Sequence, residues 1–256
     1  MAASPESKAG DFLRKATLAE SSGARAKYAT RGLAAAGGDR TLRAMLLRQL
    51  YLSHMEAERF EPASEVARAI IELDVMADVA CQDLARAYLG LGRYREAVDE
   101  LRRASRLGPA SRRAFHLWTL GSVCYFQGDL AGAALAFQRA VRWGTTARPL
   151  YEAQLLLTRL ALGSPKSLPG LGEARQALEG APCGQGYGRF VLGELAHHQG
   201  DWAAAREYLD EFIQRVEGGR VALRVGLRAE LERARQLLAT LPAGAQPAAL
   251  TDRRSG

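Results

Sequence analysis

Glu194, His197 and His198 bring a carboxylate and two imidazoles within one turn of sequence. Glu-x-x-His on a helix sets both side chains on one face, a spacing used by metal centres built between helices. A metal needs more ligands than that pair, and the only other histidines, His54 and His116, belong to no second such motif. No metal and no cofactor are therefore expected. A nucleophilic thiol needs a base or a lowered pKa nearby. Cys183 lies in a Gly-rich stretch that supplies neither, and Cys81 and Cys124 fall at apolar, interior-type positions. The chain has no phosphate-cradling glycine loop, no Gly-x-Ser-x-Gly and no Cys/His pair with an orienting third group. The expectation is a protein that binds rather than catalyses. Arg102, Arg103, Arg106, Arg112 and Arg113 crowd one segment of a chain whose net charge is +7. They read either as cations complementing the end of a helix or as a nucleic-acid footprint. Acidic residues interspersed elsewhere, and the lack of a nucleic-acid motif, argue against the second.

The elements that would carry these residues follow from a longer pattern. Leu50, Leu84, Leu120, Leu156 and Leu192 recur at intervals of 34, 36, 36 and 36 residues, a period that belongs to stacked helical hairpins. The clearest unit reads Leu117, Leu120-Gly121, Cys124, Gly128, Ala133, Phe137 and Ala140. The unit before it reads Cys81, Leu84-Ala85, Tyr88, Gly92, Tyr94, Ala97, Leu101, Ala104 and Pro109. A later one reads Leu192-Gly193, Ala196, Gly200, Trp202, Ala205, Leu209 and Phe212. Apolar residues at i, i+3, i+4 and i+7 make one sticky helix face. The glycine turns the chain, and Asp129 or Asp201 just after it caps the second helix. Small Ala and Gly positions let two helices approach, and the large residue four places on fills the groove between them.

This pattern resembles the tetratricopeptide repeat over roughly residues 5 to 219. The match is weaker from Ala44 (Leu50, His54, Phe60, Ala63, Ala67, Ile70), where Glu58 replaces the turn glycine. It departs most from Leu150, where Gly163–Gly170 interrupts the hairpin and displaces its second helix to Glu173–Leu178. An N-terminal unit contains Ala24, Tyr28 and Leu33. The resemblance implies an all-α fold of five or six stacked hairpins wound as a right-handed superhelix, with the first helix of each hairpin lining a concave face. At the groove places of successive units stand Arg48; then Gln82 and Arg86; then Phe115, Trp118, Tyr125 and Phe126; then Tyr151 and Gln154; then Tyr187 and Phe190. Seven of the chain's eighteen Phe, Trp and Tyr residues fall in that set, so the groove is expected to hold a peptide or protein segment through aromatic anchors. Packing of the same rings against neighbouring hairpins, or against the C-terminal helix, is the competing expectation. Leu52 stands where the family's chaperone-tail clamp would need Asn, so that ligand is not expected. The resulting reading is a protein-binding adaptor or scaffold. The alternative is a regulatory module of a signalling or transcription complex, touching nucleic acid weakly through the Arg cluster.

Val221–Leu241 reads as one periodic helix capping the array, with a polar outer face. Residues 1–7 and 242–256 read as disordered ends, and 8–241 as a single helical domain. No apolar run could span a bilayer, Met1–Phe12 lacks a signal-peptide core, and three unframed cysteines suit a reduced, cytoplasmic setting.

Overall fold

The computed structural model describes residues 5–164 and 169–242. It is all-α, with no strand among the described residues. The contacts gather into two compact units, 1–116 and 117–256, where the sequence suggests one continuous domain. Such a division suits a fold in which each hairpin touches only its neighbours.

The first unit holds three hairpins: α1 (Pro5–Leu18) with α2 (Ser22–Ala35), α3 (Arg40–Glu56) with α4 (Phe60–Glu72), and α5 (Ala77–Gly90) with α6 (Tyr94–Leu107). It also includes the first turns of α7 (Ala110–Phe126), which the division cuts between His116 and Leu117. The second unit continues with α8 (Leu130–Trp143), then α9 (Arg148–Ala161) and α10 (Leu171–Glu179), a 3-10 turn at Pro182–Gly184, and α11 (Tyr187–His198) with α12 (Trp202–Glu217). Two short helices close the described chain, α13 (Val221–Gly226) and α14 (Arg228–Thr240).

One close approach recurs inside the hairpins. A Cβ on Gly121 would stand 2.6 Å from the ring of Phe137, and one on Gly193 would stand 2.6 Å from Leu209. Glycine lets α7 and α11 meet their partner helices at these points, and the large side chain opposite fills the space. Ala97, Ala133 and Ala205, the small residues of the second helices, are fully buried. Asp129 and Asp201 cap α8 and α12 by accepting the backbone N–H groups of Gly132 and Ala204, at 2.9 and 3.2 Å.

The hairpin turns share one geometry. Gly92, Gly128, Gly163 and Gly200 take left-handed φ values of 72, 80, 80 and 75°, and Glu58 adopts the same conformation at 52° without being glycine. After four of these turns the next N–H reaches back five residues: Arg59 to His54, Arg93 to Tyr88, Ser164 to Arg159 and Asp201 to Ala196. Gly163 is therefore the regular turn of its hairpin rather than the start of an interruption. The second helix begins late, at Leu171; residues 165–168 lie outside the described residues.

The ends differ from the sequence reading in two places. Residues 5–7 belong to the first turn of α1, while 1–4 and 243–256 lie outside the described residues. The C-terminal helix is broken at Leu227 into α13, which has no buried residue, and α14, which buries Glu230, Leu231, Ala234 and Leu237. Gly226, a poor helix former, stands at the break. α14 packs on both α11 and α12, as the first helix of a further hairpin would.

Candidate functional site

The first helices of successive hairpins bond to one another at an offset of about one repeat, and these bonds organise the face read as a groove. In the first unit, Arg48 on α3 donates through Nε to Asp83 Oδ2 on α5 at 2.8 Å, and the Tyr51 hydroxyl donates to the Asp83 carbonyl at 2.8 Å. Arg86 lies 3.7 Å from the other carboxylate oxygen of Asp83. One helix further, Arg112 clasps the Asp78 carboxylate in two bonds of 2.7 and 3.0 Å. His116 lies between Asp78 (2.9 Å) and Gln82 (2.7 Å). Burial alone would raise the pKa of Asp78, but hydrogen bonds from Arg112 and His116 outweigh it and hold the carboxyl below its ordinary value.

In the second unit the same face is aromatic. Trp118 donates its indole N–H to Gln154, whose side-chain amide lies 3.4 Å from the Tyr187 hydroxyl, which in turn donates to Glu230 of α14 at 3.3 Å. Trp118 meets Tyr187 edge-on at 4.9 Å and Tyr151 at 6.3 Å. Tyr187 meets Phe190 at 5.8 Å, Phe190 meets Phe126 at 6.1 Å, and Phe126 meets Tyr125 at 5.5 Å. Glu194 on α11 is buried and accepts from Arg233 of α14 at 3.2 Å. Burial raises the Glu194 pKa, and Arg233 only partly offsets it. Burial likewise holds the Tyr125 and Tyr187 hydroxyls above the ordinary tyrosine range.

Of the two expectations for these residues, a partner-binding groove or packing against neighbouring helices, the contacts within the chain are of the second kind. Gln82, Tyr151, Gln154 and Phe190 are buried. Each meets a side chain of a neighbouring helix, because polar and aromatic groups one repeat apart satisfy one another. Trp118, Tyr125, Phe126 and Tyr187 are half-buried members of the same cluster, while Arg48 and Arg86 are partly exposed. Phe115 keeps 40% of its surface exposed, as Met45 on α3 keeps 41%.

The Arg cluster also resolves differently. Arg112 and Arg113 lie in the first turn of α7, where a helix dipole does not favour cations, and Arg112 is held instead by Asp78. Arg102 and Arg103 have acidic neighbours one turn earlier, Asp99 at 3.1 Å and Glu100 at 3.8 Å. Of the Glu-x-x-His pair, the carboxylate faces Arg233, and His197 Nε2 lies 3.3 Å from the Thr240 hydroxyl. Burial, with Glu100 beside it, pushes the Cys81 thiol up to about 12, away from thiolate chemistry. Asp78, Asp83, Glu230 and Arg233 escaped the sequence reading. Aligning the units would have shown a signal for the first two, since Arg48/Asp83 and Asp78/Arg112 are separated by 35 and 34 residues.

A family model described as tetratricopeptide repeat matches residues 83–151 and 171–220. Among solved structures, one described as the functional characterisation of Pseudomonas aeruginosa pilF aligns at 22% identity and a TM-score of 0.51, over 79% of this chain and 90% of that one. YrrB, described as a TPR protein with an unusual peptide-binding site, aligns at 19% identity and a TM-score of 0.47, over 78% and 97%. At 22% identity the first of these likenesses speaks to the fold alone. No curated protein matches the chain.

Proposed function

Because the chain belongs to the tetratricopeptide repeat family, a fold of protein-interaction modules, we propose that it is a non-catalytic scaffold holding an extended peptide or protein segment. The contact lies on the first-helix face of residues 1–116. The observation that carries this reading is the pair Arg48 and Arg86. Both guanidinium groups lean on one buried carboxylate, Asp83, yet stay partly open to solvent. An arginine has five N–H donors, so each keeps donors to offer a partner's carbonyl or carboxylate oxygens. The shared carboxylate fixes their orientation, which lowers the entropy lost on binding. Met45 on α3 and Phe115 on α7 add exposed apolar surface to the same unit. In residues 117–256, α14 occupies part of the corresponding face, through Glu230 to Tyr187 and Arg233 to Glu194, which supports placing the main contact on the first unit. A non-catalytic role is supported by the raised Cys81 thiol and by the engagement of Glu194 with Arg233. The three free cysteines suit a reduced, cytoplasmic setting. No helix among the described residues is long and apolar enough to cross a membrane.

The test compares the wild-type chain with Arg48→Ala/Arg86→Ala as baits in native lysate, alongside thermal melts. Proteins retained by the wild type should be lost from the double variant; because that variant leaves the buried Asp83 carboxylate without its cations, at a cost of about 3–5 kcal/mol, the baits are compared at a temperature at which the melts show both proteins folded. An identical retained set would place the contact elsewhere.

A further inference from the structure

The helix α8 presents an exposed stripe on the side away from its buried residues. Ala133, Ala136, Phe137 and Ala140 face inward and are buried. The opposite stripe is Leu135, Arg139, Arg142 and Trp143, four residues at i, i+4, i+7 and i+8 and so on one helix face. Leu135 is 60% exposed and Trp143 42%, among the largest apolar exposures of the second unit. Arg139 and Arg142 are exposed, and neither side chain makes an ion pair or hydrogen bond among the described residues. That differs from α6, where Arg102 and Arg103 each have a carboxylate three residues before them. The difference is built into the sequence. From Pro109 to Leu150 there are five arginines and one acidic residue, Asp129, whose side chain caps α8. Of those arginines, Arg112 is held by Asp78 and Arg148 by Glu152.

We propose that this face of α8 docks an acidic amphipathic helix of a partner protein. Leu135 and Trp143 lie eight residues apart, about 12 Å along the axis. Two cations, unpaired among the described residues, stand between them on a helix that has no carboxylate of its own. A helix laid along this stripe would pack apolar side chains two turns apart on Leu135 and Trp143. It would place Asp or Glu between them, against Arg139 and Arg142, in charge-assisted hydrogen bonds. Two other occupants fit less well. Nucleic-acid affinity grows with the number of phosphates neutralised, and two cations neutralise few. Stable membrane attachment takes a larger apolar face or a polybasic run. The proposal concerns residues outside the Arg48/Arg86 site and does not depend on it.

The test uses the full chain and four fluorescent probes in anisotropy titrations. They are a helical peptide of about sixteen residues with two leucines eight apart and glutamates between, its Glu→Lys counterpart, a single-stranded oligothymidine, and vesicles containing phosphatidylserine. The acidic peptide should bind, and the lysine peptide should bind at least about tenfold more weakly. Arg139→Glu/Arg142→Glu should reverse that preference and leave the melting temperature nearly unchanged, because these side chains are exposed. Arg139→Gln/Arg142→Gln should weaken the acidic peptide without favouring the lysine one, which covers the case in which the charge reversal disturbs the helix. Equal binding of the two peptides, or binding unaltered in both Arg139/Arg142 variants, would overturn the proposal. Preference for the oligonucleotide or the vesicles over the acidic peptide would overturn it equally, and would assign the stripe to nucleic acid or lipid.

Discussion

The polar residues of the first-helix face do structural work before they do anything else, and Glu194 shows this most sharply. Its carboxylate is buried and answered by one half-exposed arginine, Arg233, and its pKa is raised because burial outweighs that pairing. The sign for stability follows directly. A carboxyl whose pKa is higher folded than unfolded holds its proton longer in the native state, so native stability falls as pH rises from near the ordinary value of 4.5 through the raised one. Glutamine at this position cannot ionise and still accepts from Arg233. Glu194→Gln should therefore melt with the wild type at about pH 4 and above it by about pH 7. Melts across that range decide the point. A wild type that gains on the variant as pH rises would mean that the Arg233 pairing outweighs the burial. Asp78 lies on the other side of the same balance: with two bonds from Arg112 and one contact to His116, its pKa is lowered although it too is buried.

Among the elements, the turns define the repeat more faithfully than the helices do. The Leu-Gly and Ala positions mark helix contacts, and the structure places Gly121, Gly193, Ala133 and Ala205 where those contacts need them. Glu58 is the instructive exception. It holds a left-handed φ of 52° in a turn whose equivalents are glycine. A side chain in that conformation costs about 1–2 kcal/mol, whereas glycine's extra freedom in the unfolded chain costs about 0.5–1 kcal/mol. The first effect wins narrowly, so Glu58→Gly should stabilise the protein by about 0.5–1 kcal/mol. Chemical denaturation of the two proteins measures it. A destabilised variant would show that the Glu58 side chain contributes more than its backbone strain costs.

For the molecule as a whole, the described chain is two compact units of hairpins, and the second is finished by α13 and α14. α14 supplies Glu230 to Tyr187 and Arg233 to Glu194, and its Leu238, with Leu241 just after it, packs with Ala196 and Ala205. Ending the chain after Gly219 would leave a buried carboxylate without its cation and an apolar face in water. Breaking such a pair from one side costs about 3–5 kcal/mol. Hydrogen exchange on the truncated chain should show α11 and α12 losing protection while α1 to α6 keep theirs, since stability in such arrays is a sum of neighbour terms. Uniform loss over all the helices would show a single cooperative unit; no loss would show that α14 contributes little.

Fold class was legible in the sequence because a repeat writes its packing many times over. Each unit alone is ambiguous, but Leu50 to Leu192 at 34 to 36 residues, with Gly or Ala beside most of them, admits stacked hairpins and little else. The aromatic cluster was legible too, as a set of residues sharing a face. Whether that face meets a partner or the protein itself was not, because exposure depends on which helices lie alongside. Phe190 and Tyr151 occupy the same kind of groove place as Phe115 and Arg48, yet the first two are buried and the others open. Only the packing of neighbouring helices, one repeat away or, for α14 against α11, about 40 residues away, distinguishes them. The sequence by itself determined the hairpins, their turns and the row of residues facing inward. The tertiary structure decided which of those residues hold one another and which stay open, since that rests on pairings between helices that no single unit's pattern contains.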